Sequence, residues 1–224
     1  VLKSWRIAVE SEETSAIFEP AASGEGKALF VFAHGAGGRM DDSGMAKLAE
    51  VFRSRGFDIL RFNFVYRERR SNRPDPMPLL KKCMGAVVAR ARKELNPRVV
   101  LIGGRSMGGR AASLLAADGL ECRGLLLLAY PLHPAGRPGQ LRDAHLPKIA
   151  VPVLSFNGTR DPLCRVDLME AAIAKVRAPW RMHWLEGADH SLRVLKSSGR
   201  SDAEVLEEIG EASEQWLADV LAAG

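Results

Sequence analysis

A chain of 224 residues with 46% apolar and 26% charged residues has a globular composition, which excludes a disordered tail, a collagen-like fibre and a coiled coil. The formal net charge of +5 arises from 32 basic and 27 acidic side chains interspersed along the chain, so charge alone points to no acidic partner. No apolar run is longer than that of Leu125 to Tyr130, far short of the roughly 20 residues a membrane span requires, and residues 1–10 lack the apolar centre of a signal peptide, so a soluble, cytoplasmic protein is expected.

From the N-terminus, Trp5–Val9 and Ala16–Glu19 alternate as extended segments and could form an antiparallel edge. Six short apolar runs bounded by glycine and polar residues follow: Ala28–Ala33, Asp58–Phe62, Arg98–Gly103, Gly124–Tyr130, Val153–Asn157 and Arg181–Leu185. Runs of this length and composition suit strands buried on both faces. Helical periodicity fills the gaps. Between the second and third runs Leu79, Leu80, Cys83, Met84, Val87, Val88, Ala91 and Leu95 recur at three- and four-residue steps, until Asn96-Pro97 ends the pattern. Further helices are expected near 43–55, 108–117, 166–176 and 202–222, the last opened by a capping box of Ser201 and Glu204. No internal repeat or low-complexity linker divides the chain. Regular alternation of strand and helix predicts an α/β fold, a doubly wound, mostly parallel sheet with helices on both faces, as a single domain over residues 1–224. Cys83, Cys122 and Cys164 have neither metal-ligand nor Cys-x-x-Cys spacing and read as free thiols.

In such a sheet, ligands bind beyond the carboxyl ends of the strands. The third run leads into Gly104-Arg105-Ser106-Met107-Gly108 and then directly into a helix, the context in which a serine is lifted above the sheet as a nucleophile. A serine hydroxyl needs a base, and the base needs an acid that fixes its tautomer. After the fifth run stands Asp161, and after the sixth His190, giving the chain order serine, acid, base. Ser106, His190 and Asp161 are therefore the expected catalytic residues. Asp189 is a poorer acid because adjacent residues in a turn seldom face each other. His133 follows the fourth run but precedes the acid, and His145 and His183 read as structural or exposed. The first run ends in His34-Gly35-Ala36-Gly37-Gly38, whose small residues leave backbone amides free. An oxyanion hole is expected from the amide of Met107 with that of Ala36 or Gly37, and His34 is expected to brace the loop.

These motifs, in this order over residues 27–222, resemble those of a small α/β-hydrolase, and within that superfamily the compact bacterial proteins related to dienelactone hydrolases. The chain departs from true dienelactone hydrolases in carrying Ser106 where they use cysteine. The resemblance implies an acyl-transfer enzyme with a Ser-His-Asp triad and neither metal nor organic cofactor, and it implies no particular substrate. In larger relatives a cap domain is inserted where this chain has only about 20 residues, Pro131 to Val151, so an open site without a lid is expected. The function read from these features is hydrolysis of a carboxylic ester or thioester of a small or exposed acyl group. Peptidase or amidase action with the same residues, and a non-catalytic binding module on this fold, stand as alternatives.

Arg39, Arg69, Arg70 and Arg105 fall in loops at the catalytic edge, and Phe64, Tyr66 or Tyr130 could supply an aromatic pocket wall. Convergence of those loops would make the site mouth positive, which points to a small-molecule substrate bearing a carboxylate or phosphate. Nucleic acid is disfavoured as a partner, and oligomeric state is not legible from the chain.

Overall fold

The computed structural model describes residues 2–223. Lys3–Val9 (β1) and Glu12–Glu19 (β2) form an antiparallel hairpin turned at Glu10, the edge that the alternating pattern suggested. The remaining strands are Ala28–Ala33 (β3), Phe57–Phe62 (β4), Val100–Arg105 (β5), Gly124–Leu128 (β6), Val153–Gly158 (β7) and Trp180–Leu185 (β8). They form one eight-stranded sheet in the order β1-β2-β4-β3-β5-β6-β7-β8, parallel from β4 to β8. β2 joins it antiparallel to β4.

Strand β3 is buried along its whole length. Its residues divide by the two-residue period of a strand. Leu29, Val31 and Ala33 enter one apolar core, and Ala28, Phe30 and Phe32 enter the other. Helices Ser43–Ser54 (α1) and Asp202–Ala222 (α6) cover the second face. Val65–Glu68 (α2, a single turn), Met77–Leu95 (α3), Met107–Ala117 (α4) and Val166–Ile173 (α5) complete the set, with α3, α4 and α5 packed on the first face.

Helix α1 buries Met45, Leu48, Ala49 and Phe52, one stripe at helical spacing. Helix α3 ends where Asn96 turns left-handed, at φ 44° and ψ 51°, and donates its N–H to the Arg92 carbonyl. At the start of α6, the Ser201 hydroxyl receives the Glu204 N–H while the Glu204 carboxylate receives the Ser201 N–H.

The third run is displaced by two residues from its expected span, because β5 takes its register from β3 and β6: Leu29 pairs with Val100, and Arg105 pairs with Leu128. The connection from β6 to β7 holds nothing longer than the single turn Leu146–Lys148, so no cap covers the carboxyl edge. No helix among the described residues is long and apolar enough to cross a membrane.

Candidate active site

Ser106 lies between β5 and α4 with φ 49° and ψ −114°, outside the regions open to a side chain of its size. The strain is held from both sides. Its N–H donates to the Leu128 carbonyl at 2.8 Å. Gly108, two residues further, lies so close to the end of β3 that a Cβ there would stand 2.6 Å from the His34 oxygen and 2.7 Å from that of Ala33. Only glycine lets α4 begin this near the β3 loop, and that approach sets the serine hydroxyl at the carboxyl edge.

Asp161 lies three residues past the end of β7, with its side chain wholly buried. Its carboxylate is satisfied by three donors: the Leu163 N–H at 2.8 Å, the Asn157 amide at 3.3 Å and His190 Nδ1 at 2.8 Å. Asn157 also clasps the Tyr130 backbone, accepting from its N–H at 3.2 Å and donating to its carbonyl at 3.0 Å. The sequence offered one sign of this role, a polar residue closing an apolar run four positions before the acid.

His190 Nε2 lies 2.9 Å from Ser106 Oγ. With Nδ1–H committed to a carboxylate acceptor, the lone pair of Nε2 faces the serine hydroxyl. Asp189 does not contact His190 through hydrogen bonds. Its carboxylate instead receives the N–H of Ser191 at 2.7 Å and of Arg193 at 3.1 Å, building the turn that presents the histidine.

The His34 loop lies against the elbow, where a Cβ on Gly35 would stand 3.5 Å from the Ser106 Cβ. The Met107 N–H opens α4 with no backbone acceptor among the described hydrogen bonds, and the Ala36 N–H has none either. The Gly37 amide lies toward the buried Tyr66 hydroxyl, with no hydrogen bond closed between them. His34 is buried and pinned at both nitrogens: Nδ1–H donates to the Gly35 carbonyl at 2.7 Å, and Nε2 accepts the Phe64 N–H at 3.1 Å. Phe64 and Tyr66 pack edge-on against its ring.

Burial drives the His34 pKa down to about 4. Folding therefore favours its neutral form, while the unfolded chain takes up a proton below about pH 6.5. The stability His34 contributes is present above that pH and is lost as the pH falls through about 4, by roughly 1.4 kcal/mol per pH unit within the window. Denaturant unfolding between pH 7 and pH 4 is expected to show a shallower loss in His34→Gln than in wild type, and identical slopes would disprove the assignment.

Several expected substrate contacts are placed differently. Tyr130 is wholly buried, its hydroxyl donating to the Arg142 carbonyl at 3.2 Å, so it forms part of the core beneath the edge and not a pocket wall. Phe64 and Tyr66 are buried as well. Arg69 is clasped between Glu12 and Asp75, and Arg39 pairs with Asp41 at 3.1 Å, so their charges are already matched. Arg70 is exposed, on a left-handed turn at φ 58°. Arg105 alone of this group is half-buried without an ion-pair partner among the described residues. His133 braces backbone, with Nδ1 at 3.0 Å from the Pro134 carbonyl and Nε2 receiving the Arg165 N–H at 3.1 Å. No group of three or more histidine, cysteine, aspartate or glutamate side chains among the described residues could hold a metal ion.

A mostly parallel eight-stranded sheet with its serine on the turn after β5 and its acid and histidine after β7 and β8 defines the α/β-hydrolase class. The family model of the alpha/beta hydrolase domain matches residues 26–218, and the chain belongs to that family. Est1E from Butyrivibrio proteoclasticus is similar at a TM-score of 0.78 and 17% identity, over 98% of this chain and 99% of that one. Dienelactone hydrolase from Anabaena variabilis is similar at 0.74 and 19%, over 98% of this chain and 97% of that one. A serine hydrolase without lid from Xanthomonas campestris is similar at 0.76 and 17%, over 96% of this chain and 94% of that one. At these identities the likeness is one of fold.

Proposed function

We propose that this protein is a serine hydrolase that cleaves carboxylic esters or thioesters through an acyl-enzyme on Ser106. The observation that carries the reading is the unbroken chain from Ser106 Oγ to His190 Nε2 at 2.9 Å and from His190 Nδ1 to Asp161 at 2.8 Å, mounted on a strained turn. Ser106 attacks the acyl carbon as its proton passes to Nε2. Asp161 stabilises the imidazolium that results. The amides of Met107 and Ala36 receive the charge that develops on the carbonyl oxygen. Collapse expels the alcohol or thiol, protonated by His190, and the same nitrogen then activates the water that releases the acid. The absence of a cap over the edge supports small or exposed acyl groups as substrates.

A fluorophosphonate probe tests this directly. Wild type is expected to label at one site, and Ser106→Ala to remain unlabelled. A folded wild type that does not react would overturn the reading and favour a binding module on the same fold. Turnover of an ester and thioester panel is expected to fall by roughly 10³- to 10⁴-fold in Asp161→Asn, where the histidine tautomer is lost. Asp189→Asn keeps an acceptor for Ser191 and Arg193 and is expected to cost far less. The reverse order would transfer the acid's role to Asp189.

A further inference from the structure

Beside the serine elbow lies a cleft of about 300 Å³, between the first turns of α1 and the loop from β8 to α6. Its wall begins one residue from the nucleophile, at Arg105, and one residue from the histidine, at Ser191. Lys47, Arg105 and Arg193 line it against a single carboxylate, Asp202, which already accepts the Val194 N–H. None of the three cations has a carboxylate within ion-pairing distance among the described residues. Of the other arginines partly withdrawn from water, Arg55, Arg61 and Arg200 each hold a carboxylate, and Arg67, Arg123 and Arg142 donate to carbonyl groups. Arg105 and Arg110 have neither kind of partner among the described residues, and of these two Arg105 lines the cleft.

The position of Arg105 sharpens the contrast. Its guanidinium lies 3.8 Å from where a Cβ on Gly44 would stand, in the first turn of α1. The amides of that turn have no helical acceptor and carry the positive end of the helix dipole. A half-buried guanidinium, two further cations and a helix N-terminus thus converge, and the nearby carboxylates of Asp42 and Asp189 are already engaged by backbone N–H groups. Burial pulls the Arg105 pKa below its ordinary value, a pull that Asp189, Asp42 and Asp161 only partly offset and to which Arg193 adds. An anion in the cleft would counter that pull, and the space suits a carboxylate or phosphate on a short chain.

We propose that this cleft binds the anionic group of the substrate, so that the preferred esters are small ones carrying a carboxylate or phosphate, held by Arg105, Lys47 and Arg193. The proposal rests on the hydrolase reading for its substrate class, and it moves the expected anion site away from Arg39 and Arg69.

The test compares 4-nitrophenyl hydrogen glutarate with its neutral counterpart 4-nitrophenyl pentanoate. At low salt kcat/KM is expected to favour the acid by about tenfold, the scale of one or two charge-assisted hydrogen bonds at a partly exposed site. The ratio is expected to approach one in Lys47→Gln/Arg193→Gln and to fall as salt rises. It should persist in Lys3→Gln, which removes a cation from the far edge of the sheet. Inorganic phosphate competing with the glutarate ester more strongly than with the pentanoate would extend the site to phosphorylated substrates, and competition by monomethyl glutarate alone would restrict it to carboxylates. Equal rates for the two esters, or a ratio unchanged in the double variant, would overturn the proposal while leaving the hydrolase reading intact. Should neither ester turn over, calorimetry of monomethyl against dimethyl glutarate on Ser106→Ala decides it without catalysis: tighter binding of the monoester upholds the site, and equal binding refutes it.

Discussion

Ser106→Ala and His190→Ala are each expected to lower kcat by roughly 10⁴-fold or more, and the double variant to fall no further, because residues that act as one unit lose their whole contribution with the first member. The hydroxyl is a useful nucleophile only while Nε2 takes its proton, and Nε2 has no proton to take once the hydroxyl is gone. Additive losses in the double variant would show two independent contributions and refute the shared step. The same position yields a stability result of opposite sense. At φ 49° and ψ −114° a side chain is strained and glycine is not. Ser106→Gly and Ser106→Ala both lack the hydroxyl, so their difference isolates the backbone. Ser106→Gly is expected to be the more stable by roughly 1 kcal/mol, strain relief less the added freedom of the unfolded glycine. Equal unfolding midpoints would mean that the elbow stores no strain.

Gly158→Ala is expected to damage both catalysis and folding, although the residue touches neither substrate nor triad side chains. Gly158 closes β7, and a Cβ there would lie 2.0 Å from the Ala188 oxygen and 2.4 Å from its carbonyl carbon. These are backbone atoms of the loop that carries His190. That loop is fastened to the β7 end by the Arg160 N–H on the Ala188 carbonyl at 3.0 Å and the Gly187 N–H on the Thr159 hydroxyl at 2.9 Å. Relieving the clash must separate the acid's loop from the base's loop by more than the play in a 2.8 Å hydrogen bond. Overpacking of this kind costs about 1–3 kcal/mol, and a misplacement near 1 Å costs about 10²-fold in rate. Unfolding and kcat measured on the same preparation would check both, and a variant with wild-type kcat would disprove the loop-to-loop coupling.

What could be read along the chain follows from where the information resides. The first five apolar runs declared parallel strands because strands buried on both faces have no polar side to hide, as the two-core division of β3 makes plain; β8, expected to be buried likewise, is an edge strand in which only Leu185 is fully buried. Ser106, Asp161 and His190 were legible because each stands within a few residues past a strand end, where chain order and sheet topology together fix the edge. The geometry then brought those three together. Partners distant in sequence were not legible. Arg69 reads as a free loop cation until Glu12, 57 residues earlier, is laid beside it by the β1–β2 hairpin. The one-turn helix Val65–Glu68 is too short to develop a period, so it was indistinguishable from loop. Tyr130 illustrates the same limit. It ends an apolar run just where a pocket wall would stand, and only the fold sends its ring inward. Lys47 and Arg193 escaped notice because they lie beyond the loops that immediately follow the first three strands. Lys47 sits one turn into the helix after the His34 loop, a spacing that could have flagged it.

The bare connection between β6 and β7 bears on the fate of the acyl group. Enzymes that hand an acyl group to another alcohol, thiol or amine must keep water from the intermediate, and a closing element is the usual means. Here His190 keeps 23% of its side chain open to solvent above Ser106, and nothing longer than one helical turn spans the gap beside it. An acyl group on Ser106 would face water at its bulk concentration, and any other acceptor would have to compete with it unaided. On the proposed reading, an acyl-enzyme on Ser106 would therefore be expected to go to hydrolysis rather than transfer.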